Sequence, residues 1–344
     1  MRILIVTDAW FPQINGVVRT LNNLKENLIK EGHEVCYITP DLFYNLPCPT
    51  YPEIRLSIFP KKKFIKIFQE FSPNAVHIAT EGPLGITAKR YFTKNNIPFS
   101  TAFHTRFPEY LNSRFNIPIS FGYRLIRWFH YQSQGIMVAT QSIEDELNKY
   151  NIRKVNRWTR GVDTELFFPR KKSNKKIDIL GVKRPIHLYV GRVSIEKNIE
   201  SFLDLELPGS KLVVGDGPQL KELKSKYKDT YFVGSKHGEE LAMHYSTADV
   251  FVFPSLTDTF GLVILEALAS GLPVAAYPVP GPLDIIKNAK VGYLDNNLAF
   301  AIEKSLELNP EACRQHALKF SWNESTKQFI NNITKFNNQK FKIG

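Results

Sequence analysis

Short apolar runs alternate with amphipathic stretches along almost the whole chain, in two successive series. Strand followed by helix, repeated, requires crossover connections, and such chains form parallel sheets with helices on both faces. In the first series the patterning predicts strands at 2–7, 34–39, 54–58, 75–79, 98–103 and 135–140. Helices fall at 17–30, 64–71, 84–95, 107–115, 119–133 and 142–150. Val17, Leu21, Leu24 and Leu28 stand at helical spacing in the first of them. The last opens on Ser142 with Asp145 three residues on, close to a capping box. A segment rich in Lys and Arg, 168–185, then breaks the pattern and reads as a linker. The second series has strands at 186–191, 211–215, 230–233, 249–253, 273–277 and 291–294. Its helices are expected at 197–206, 218–228, 238–246, 260–270, 282–288 and 298–307, and the tail 310–336 reads as two more, the last opening at Ser321. At about 150 residues per domain, 344 residues make two domains. The expected architecture is α/β: two Rossmann-like halves joined by a hinge, with a cleft between them at the carboxyl ends of the strands. The boundaries read as 1–167, the linker 168–185, 186–320, and a C-terminal helix in 321–344.

Several classes are excluded or disfavoured. The opening MRILIVTDAW reads as a first strand rather than a signal peptide. The longest apolar candidate, 261–283, is broken by Glu266, three glycines and four prolines, so it does not read as a membrane span. Cys36, Cys48 and Cys313 are widely spaced, which excludes a disulfide framework and a cysteine-rich zinc site and fits a reducing cytoplasm. Cys36 reads as a buried residue of an apolar run. The formal charge is +12. Residues 1–170 hold 22 Lys and Arg against 14 Asp and Glu, and 171–344 hold 23 against 19. A basic surface suits nucleic acid, an anionic membrane or an anionic small substrate, and charge alone does not choose.

Four segments carry chemistry. The first strand–helix junction, 7–20, lacks a GxGxxG fingerprint but sets Asn15 and Gly16 directly before a helix. Gly16 there is either a turn glycine or a point where an anion reaches helix amides. In GRVSIEKN (191–198), Arg192 and Lys197 stand beside a helix start, a pairing suited to a diphosphate. Gly215 and Gly217 make a turn that admits either a ligand or closely packed backbone. The most informative segment is 253–286. Asp258 and Glu266 lie eight residues apart, the first in a loop and the second two turns into the helix that follows. That separation suits two hydroxyl-rich ends of one elongated ligand, with the amides of Thr259, Phe260, Gly261 and Leu262 at phosphates between them. Glu266 sits inside VILEALASG, where an unpaired buried acid would be costly.

The stretch 253–276 resembles the signature of retaining family 4 glycosyltransferases of the GT-B fold. An acid, then Phe-Gly, then a second acid eight residues after the first, precede an A-x-x-x-G-x-P-V run. The first acid here is Asp258, where many members have Glu. The segments 7–20, FHTRFPEY (103–110), RGVDTELF (160–167), GRVSIEKN and FSW (320–322) follow in the family's order and cover nearly the whole chain. The resemblance implies roles. Gly16 would border the diphosphate and His104 would support the reaction centre near the donor sugar; the other reading of His104 is a satisfied core histidine. Arg192 and Lys197 would neutralise the leaving diphosphate. Asp258, with the amides of Thr259, Phe260 and Gly261, would hold the sugar hydroxyls, and Glu266 the ribose. Gly217 and Leu262 would complete the donor site. It also implies retention of donor stereochemistry without a covalent intermediate, no cofactor beyond the nucleotide-sugar co-substrate, no obligatory metal, and a C-terminal helix that crosses back to the first domain.

For the acceptor, two first-domain segments mix basic and aromatic residues. One is 58–68, with Lys61, Lys62, Lys63 and Lys66 among Phe59, Phe64 and Phe68. The other is 116–132, with Arg124 and Arg127 beside Phe121, Trp128 and Phe129. They suit either an anionic bilayer or helices packed on their own sheet. The closest resemblance is to bacterial enzymes that glycosylate membrane lipids. The expectation is transfer of a hexose from UDP-glucose or UDP-glucuronate to diacylglycerol, by a cytoplasmic protein peripheral to the inner face of the cell membrane. The alternatives are a GDP-mannose-dependent α-mannosyltransferase, a nucleotide-sugar epimerase of the same fold, and a basic nucleic-acid-binding protein. The last lacks a recognition motif or a coherent basic stripe, so no nucleic-acid partner is expected.

Overall fold

Alternate residues of an apolar strand face opposite sides of a sheet, and β1 (Arg2–Val6) supplies a core on both. Leu4 and Val6 pack with Phe64, Phe68, Phe92 and Phe129 on one side, and Ile3 and Ile5 with Leu21, Leu24, Leu28 and Phe329 on the other. The computed structural model describes all residues except 14, 49–50, 110–111, 113–115, 171–180, 259, 288 and 337–344. It forms two compact units. Unit 1 is Met1–Thr159 with Trp322–Gly344, and unit 2 is Arg160–Ser321.

In unit 1, β1 is joined by β2 (Glu34–Ile38), β5 (Ala75–Ile78), β6 (Ser100–Phe103), β7 (Ile136–Val138) and β8 (Val155–Arg157). The six strands run in the order β2-β1-β5-β6-β7-β8, all parallel. The helices are α1 (Gly16–Lys30), α2 (Lys61–Phe71), α3 (Pro83–Lys94), α4 (Ile119–His130) and α5 (Gln141–Lys149). The chain ends by returning to this unit, where its last helix, Trp322–Asn332, packs on α1.

Three local expectations are corrected. The strand expected at 54–58 belongs to an antiparallel hairpin, β3 (Asn45–Cys48) with β4 (Tyr51–Ser57), outside the parallel sheet. Pro47 and Pro52 lack the amide that a central strand must donate, which confines such segments to edges and hairpins. Helix α5 is capped by Thr140, whose backbone is extended and whose hydroxyl accepts from the Ile143 amide, rather than by Ser142. Cys36 is half-buried, and the three cysteines are free.

Unit 2 carries β9 (Ile186–Val190), β10 (Ser210–Val214), β11 (Thr230–Phe232), β12 (Val250–Phe253), β13 (Val274–Ala276) and β14 (Gly292–Leu294). They match the six expected strands and form a second parallel sheet, ordered β11-β10-β9-β12-β13-β14. Its helices are α6 (Glu200–Leu203), α7 (Leu220–Lys226), α8 (Gly238–Thr247), α9 (Leu262–Ala269), α10 (Pro282–Ile286), α11 (Leu298–Leu306) and α12 (Pro310–Ala317), so the C-terminal helix of unit 1 is α13. The helix expected at 197–206 is shortened to a 3-10 turn, Ile195–Lys197, and α6. Asn198, at φ +52, is left-handed and breaks the path between them. Of the basic segment 168–185, residues 171–180 lie outside the described residues.

Candidate active site

The chain leaves β9 to build β10 and β11 on one side, then returns to place β12 on the other. Such a reversal leaves a crevice at the carboxyl ends of the two central strands, the general ligand site of open parallel sheets. Two loops flank it, 191–198 after β9 and 254–261 after β12.

Three side chains join these loops through four hydrogen bonds. The Lys197 ammonium donates to both oxygens of Asp258, at 2.6 and 2.9 Å. The Asn198 amide donates to the Pro254 carbonyl at 3.1 Å, and the Thr257 hydroxyl to the Glu196 carbonyl at 3.3 Å. Burial pushes the Asp258 carboxyl towards its neutral form. The Lys197 charge, its hydrogen bond and the Ser255 hydroxyl outweigh burial and hold it below the ordinary carboxylate value. Asp258 is therefore an ionised acceptor at neutral pH, suited to sugar hydroxyls and not to donating a proton. Arg192 is half-buried on the same loop, and its carbonyl is held by the Tyr189 hydroxyl at 2.7 Å.

Helix α9 begins at Leu262, straight after Gly261, whose backbone (φ +88, ψ +72) only glycine adopts freely. Among the described residues no side chain caps the first turn, whose amides point along the helix towards the loop. Phe260 is buried, and its carbonyl oxygen lies 2.8 Å from where a Cβ on Gly281 would stand. Four residues into α9, about 6 Å along its axis, Glu266 is buried and accepts the Tyr245 hydroxyl at 2.8 Å. The acid that looks anomalous in an apolar helix is thus hydrogen-bonded.

Gly217 is explained by backbone packing: a Cβ there would stand 2.3 Å from the Val193 carbonyl oxygen. The Val193 amide donates to the Asp216 carbonyl at 2.9 Å. Of the two readings of the Gly215–Gly217 turn, closely packed backbone is the one seen. Thr259 lies outside the described residues.

Two further sequence-derived residues belong to unit 1. Gly16 is the first residue of α1, and the Asn15 side chain accepts the Val17 and Val18 amides, both at 3.0 Å. A cap therefore occupies the amides that could have met an anion. His104 follows β6 and is buried, its ring 5.5 Å from that of Trp158 and steeply inclined to it. In unit 2 the structure joins Lys197 to Asp258, sets Arg192 on the same loop as Lys197, and carries Gly261, Leu262 and Glu266 on the start of α9. Sequence reasoning missed Tyr245, Asn198 and Thr257. Tyr245 left no local signal, because its partner lies 21 residues on in another helix.

Residues 14–166 match the model of Glycosyltransferase Family 4, and residues 170–317 that of Glycosyl transferases group 1. The chain is a group 1, family 4 glycosyltransferase. It is 29% identical over 321 residues to a GDP-mannose-dependent alpha-mannosyltransferase of Mycobacterium tuberculosis, covering 86% of this chain and 83% of the relative. It is also 29% identical over 357 residues to the alpha-monoglucosyldiacylglycerol synthase of Streptococcus pneumoniae, covering 92% and 81%. A sucrose-phosphate synthase structure from Thermosynechococcus elongatus shares the GT-B fold at a TM-score of 0.79 and 22% identity, over 96% of this chain and 97% of that one. This glycosyltransferase therefore uses a nucleotide sugar and belongs to a retaining family. Both halves of its family pattern fall on Rossmann-like sheets of the kind the strand order displays.

Proposed function

We propose that this glycosyltransferase moves a hexose from a UDP-sugar, UDP-glucose or UDP-glucuronate first, to diacylglycerol at the inner face of the cell membrane. In this reading Lys197 and Arg192 neutralise the departing diphosphate together with the first-turn amides of α9. Asp258 orients the sugar and Glu266 the ribose. The family pattern further implies that His104 supports the sugar and that Gly16 borders the diphosphate, there without the Val17 and Val18 amides that Asn15 caps. Charge stabilisation and positioning then carry the reaction.

The observation that carries the lipid reading is the exposed side of two helices of unit 1. Helix α2 buries Phe64 and Phe68 and exposes Lys61, Lys62, Lys63 and Lys66, with Phe59 before it 95% exposed. Helix α4 buries Tyr123, Ile126 and Phe129 and exposes Phe121, Leu125 and Trp128 beside Arg124 and Arg127. The Trp128 ring is braced by the Lys89 ammonium, 3.8 Å from its centre. Thus Phe64, Phe68 and Phe129 serve the core, while Phe59, Phe121 and Trp128 are available to a headgroup layer. Among the described residues no helix is long and apolar enough to cross a membrane. The likeness to a monoglucosyldiacylglycerol synthase favours the same acceptor.

Replacing Lys61, Lys62 and Lys63 together by serine should weaken sedimentation with phosphatidylserine vesicles. At about 1 kcal/mol per lysine near an anionic surface, the loss is roughly 10²-fold, with nucleotide affinity intact. Unchanged sedimentation would remove α2 from the membrane contact. The reaction itself is tested by supplying diacylglycerol liposomes with UDP-glucose, UDP-glucuronate, UDP-galactose or GDP-mannose and reading lipid extracts by mass spectrometry. A glycosyl-diacylglycerol from a UDP-sugar is the expected product. A second reading, an α-mannosyltransferase, rests on the mycobacterial relative and takes over if GDP-mannose alone is used. No lipid product from any donor would overturn the lipid acceptor.

A further inference from the structure

Tyr245 reaches Glu266 directly, and Phe167, from the segment 160–167, packs behind it. Tyr245 is fully buried on α8. Its hydroxyl donates to Glu266 Oε2, and its ring stands perpendicular to Phe167 at 5.6 Å and against Phe251 of β12 at 5.8 Å. Phe167 is itself held from behind. The Arg314 guanidinium of α12 donates to the Phe167 carbonyl at 2.7 Å, the Thr164 carbonyl at 3.0 Å and the Ala269 carbonyl at 3.0 Å. One arginine thus ties the 164–167 segment to the last turn of α9, where its charge also meets the negative end of the helix.

We propose that Tyr245, backed by Phe167 and Arg314, is a positioning residue that presets the Glu266 carboxylate for the ribose of the nucleotide. The inference rests on the reading of Glu266 as the ribose acceptor. A buried carboxylate is tolerated when a fixed donor satisfies it, and a donor on a rigid ring also selects one side-chain rotamer. Tyrosine supplies that donor with few rotatable bonds, and the ring packing removes what freedom is left. Glu266 is then oriented before the nucleotide arrives, so less ordering is left for binding to accomplish.

The test uses the full chain and isothermal titration calorimetry, with UDP and GDP as probes beside their 2′,3′-dideoxy forms. Wild type should prefer the ribose form by about tenfold or more, the worth of hydrogen bonds to a charged acceptor. Tyr245→Phe keeps the ring packing and removes only the hydroxyl. It should cut that preference by roughly three- to tenfold and leave dideoxy affinity unchanged. Glu266→Gln should abolish the preference. The ratio is internal to each variant, so a general loss of stability does not move it. If Tyr245→Phe melts below the assay temperature, Arg314→Lys, which loosens Phe167 behind the ring, is read by the same ratio. A Tyr245→Phe protein with the full preference, beside a Glu266→Gln protein without it, overturns the positioning role and leaves Glu266 on the ribose. A Glu266→Gln protein that keeps the preference overturns both.

Discussion

Replacing Lys197 by alanine is expected to lower glycosyl transfer by about 10²–10³-fold, the usual cost of removing one preorganised charge from a developing anion. The variant should remain folded, because Lys197 and Asp258 are both partly exposed and neither belongs to a core cluster. The pH profile should change as well. In the wild type the Lys197 charge and hydrogen bond oppose burial and hold Asp258 below its ordinary value. The stability this adds is present above the unfolded carboxylate value and is lost as pH falls through the lower folded one. Without Lys197, burial acts with only the Ser255 hydroxyl against it, and the carboxyl rises. The acid limb of residual activity should therefore move to higher pH in Lys197→Ala. Initial rates across pH, beside nucleotide titrations, separate this from simple loss of binding. A fully active Lys197→Ala enzyme would remove the diphosphate assignment.

The second large effect is on stability. A Cβ on Gly215 would stand 1.8 Å from the carbonyl oxygen of Gly191, and the residue sits at φ +152. Backbone cannot yield as the tip of a side chain can, so Gly215→Ala should cost about 2–4 kcal/mol. At roughly 2–4 °C per kcal/mol for a unit of this size, the melting temperature should fall by roughly 5–15 °C. Gly234→Ala is the matched control. Gly234 lies one strand away at φ +74 with nothing within 4 Å of its Cβ position, so it should lose only about 1 kcal/mol. Differential scanning calorimetry of the two variants reads the difference. If Gly215→Ala melts with the wild type, backbone packing does not account for the glycine, and ligand access becomes its explanation.

Strand–helix alternation made both sheets legible because buried parallel strands are apolar on both faces. All six strands of unit 2 fall where those runs fall. The pattern failed where pairing does not depend on apolarity. Strands β3 and β4 carry prolines, and β8 is three residues, Val-Asn-Arg, on the sheet edge. β3 and β8 escape a test that scores hydrophobic period, while β4 was expected as a strand but not as a hairpin. In the site, Asp258 and Glu266 stood out because charge inside or beside an apolar helix needs a reason. Tyr245 did not, since a tyrosine on a helix is ordinary until its hydroxyl partner is seen across the fold. Gly16 and the Gly215–Gly217 turn each allowed two readings from sequence, and in both places the structure shows local hydrogen bonding or backbone packing. The sequence signal for a special residue is strong when the anomaly is its own and weak when it lies in a partner far along the chain.

The most direct test of the donor site is diffraction from crystals of the enzyme soaked with UDP and, separately, GDP. The diphosphate should lie between Arg192, Lys197 and the first turn of α9, with the Lys197–Asp258 pair opened or shared and the ribose hydroxyls on Glu266. A diphosphate bound away from the loops after β9 and β12, or a ribose that does not touch Glu266, would contradict it.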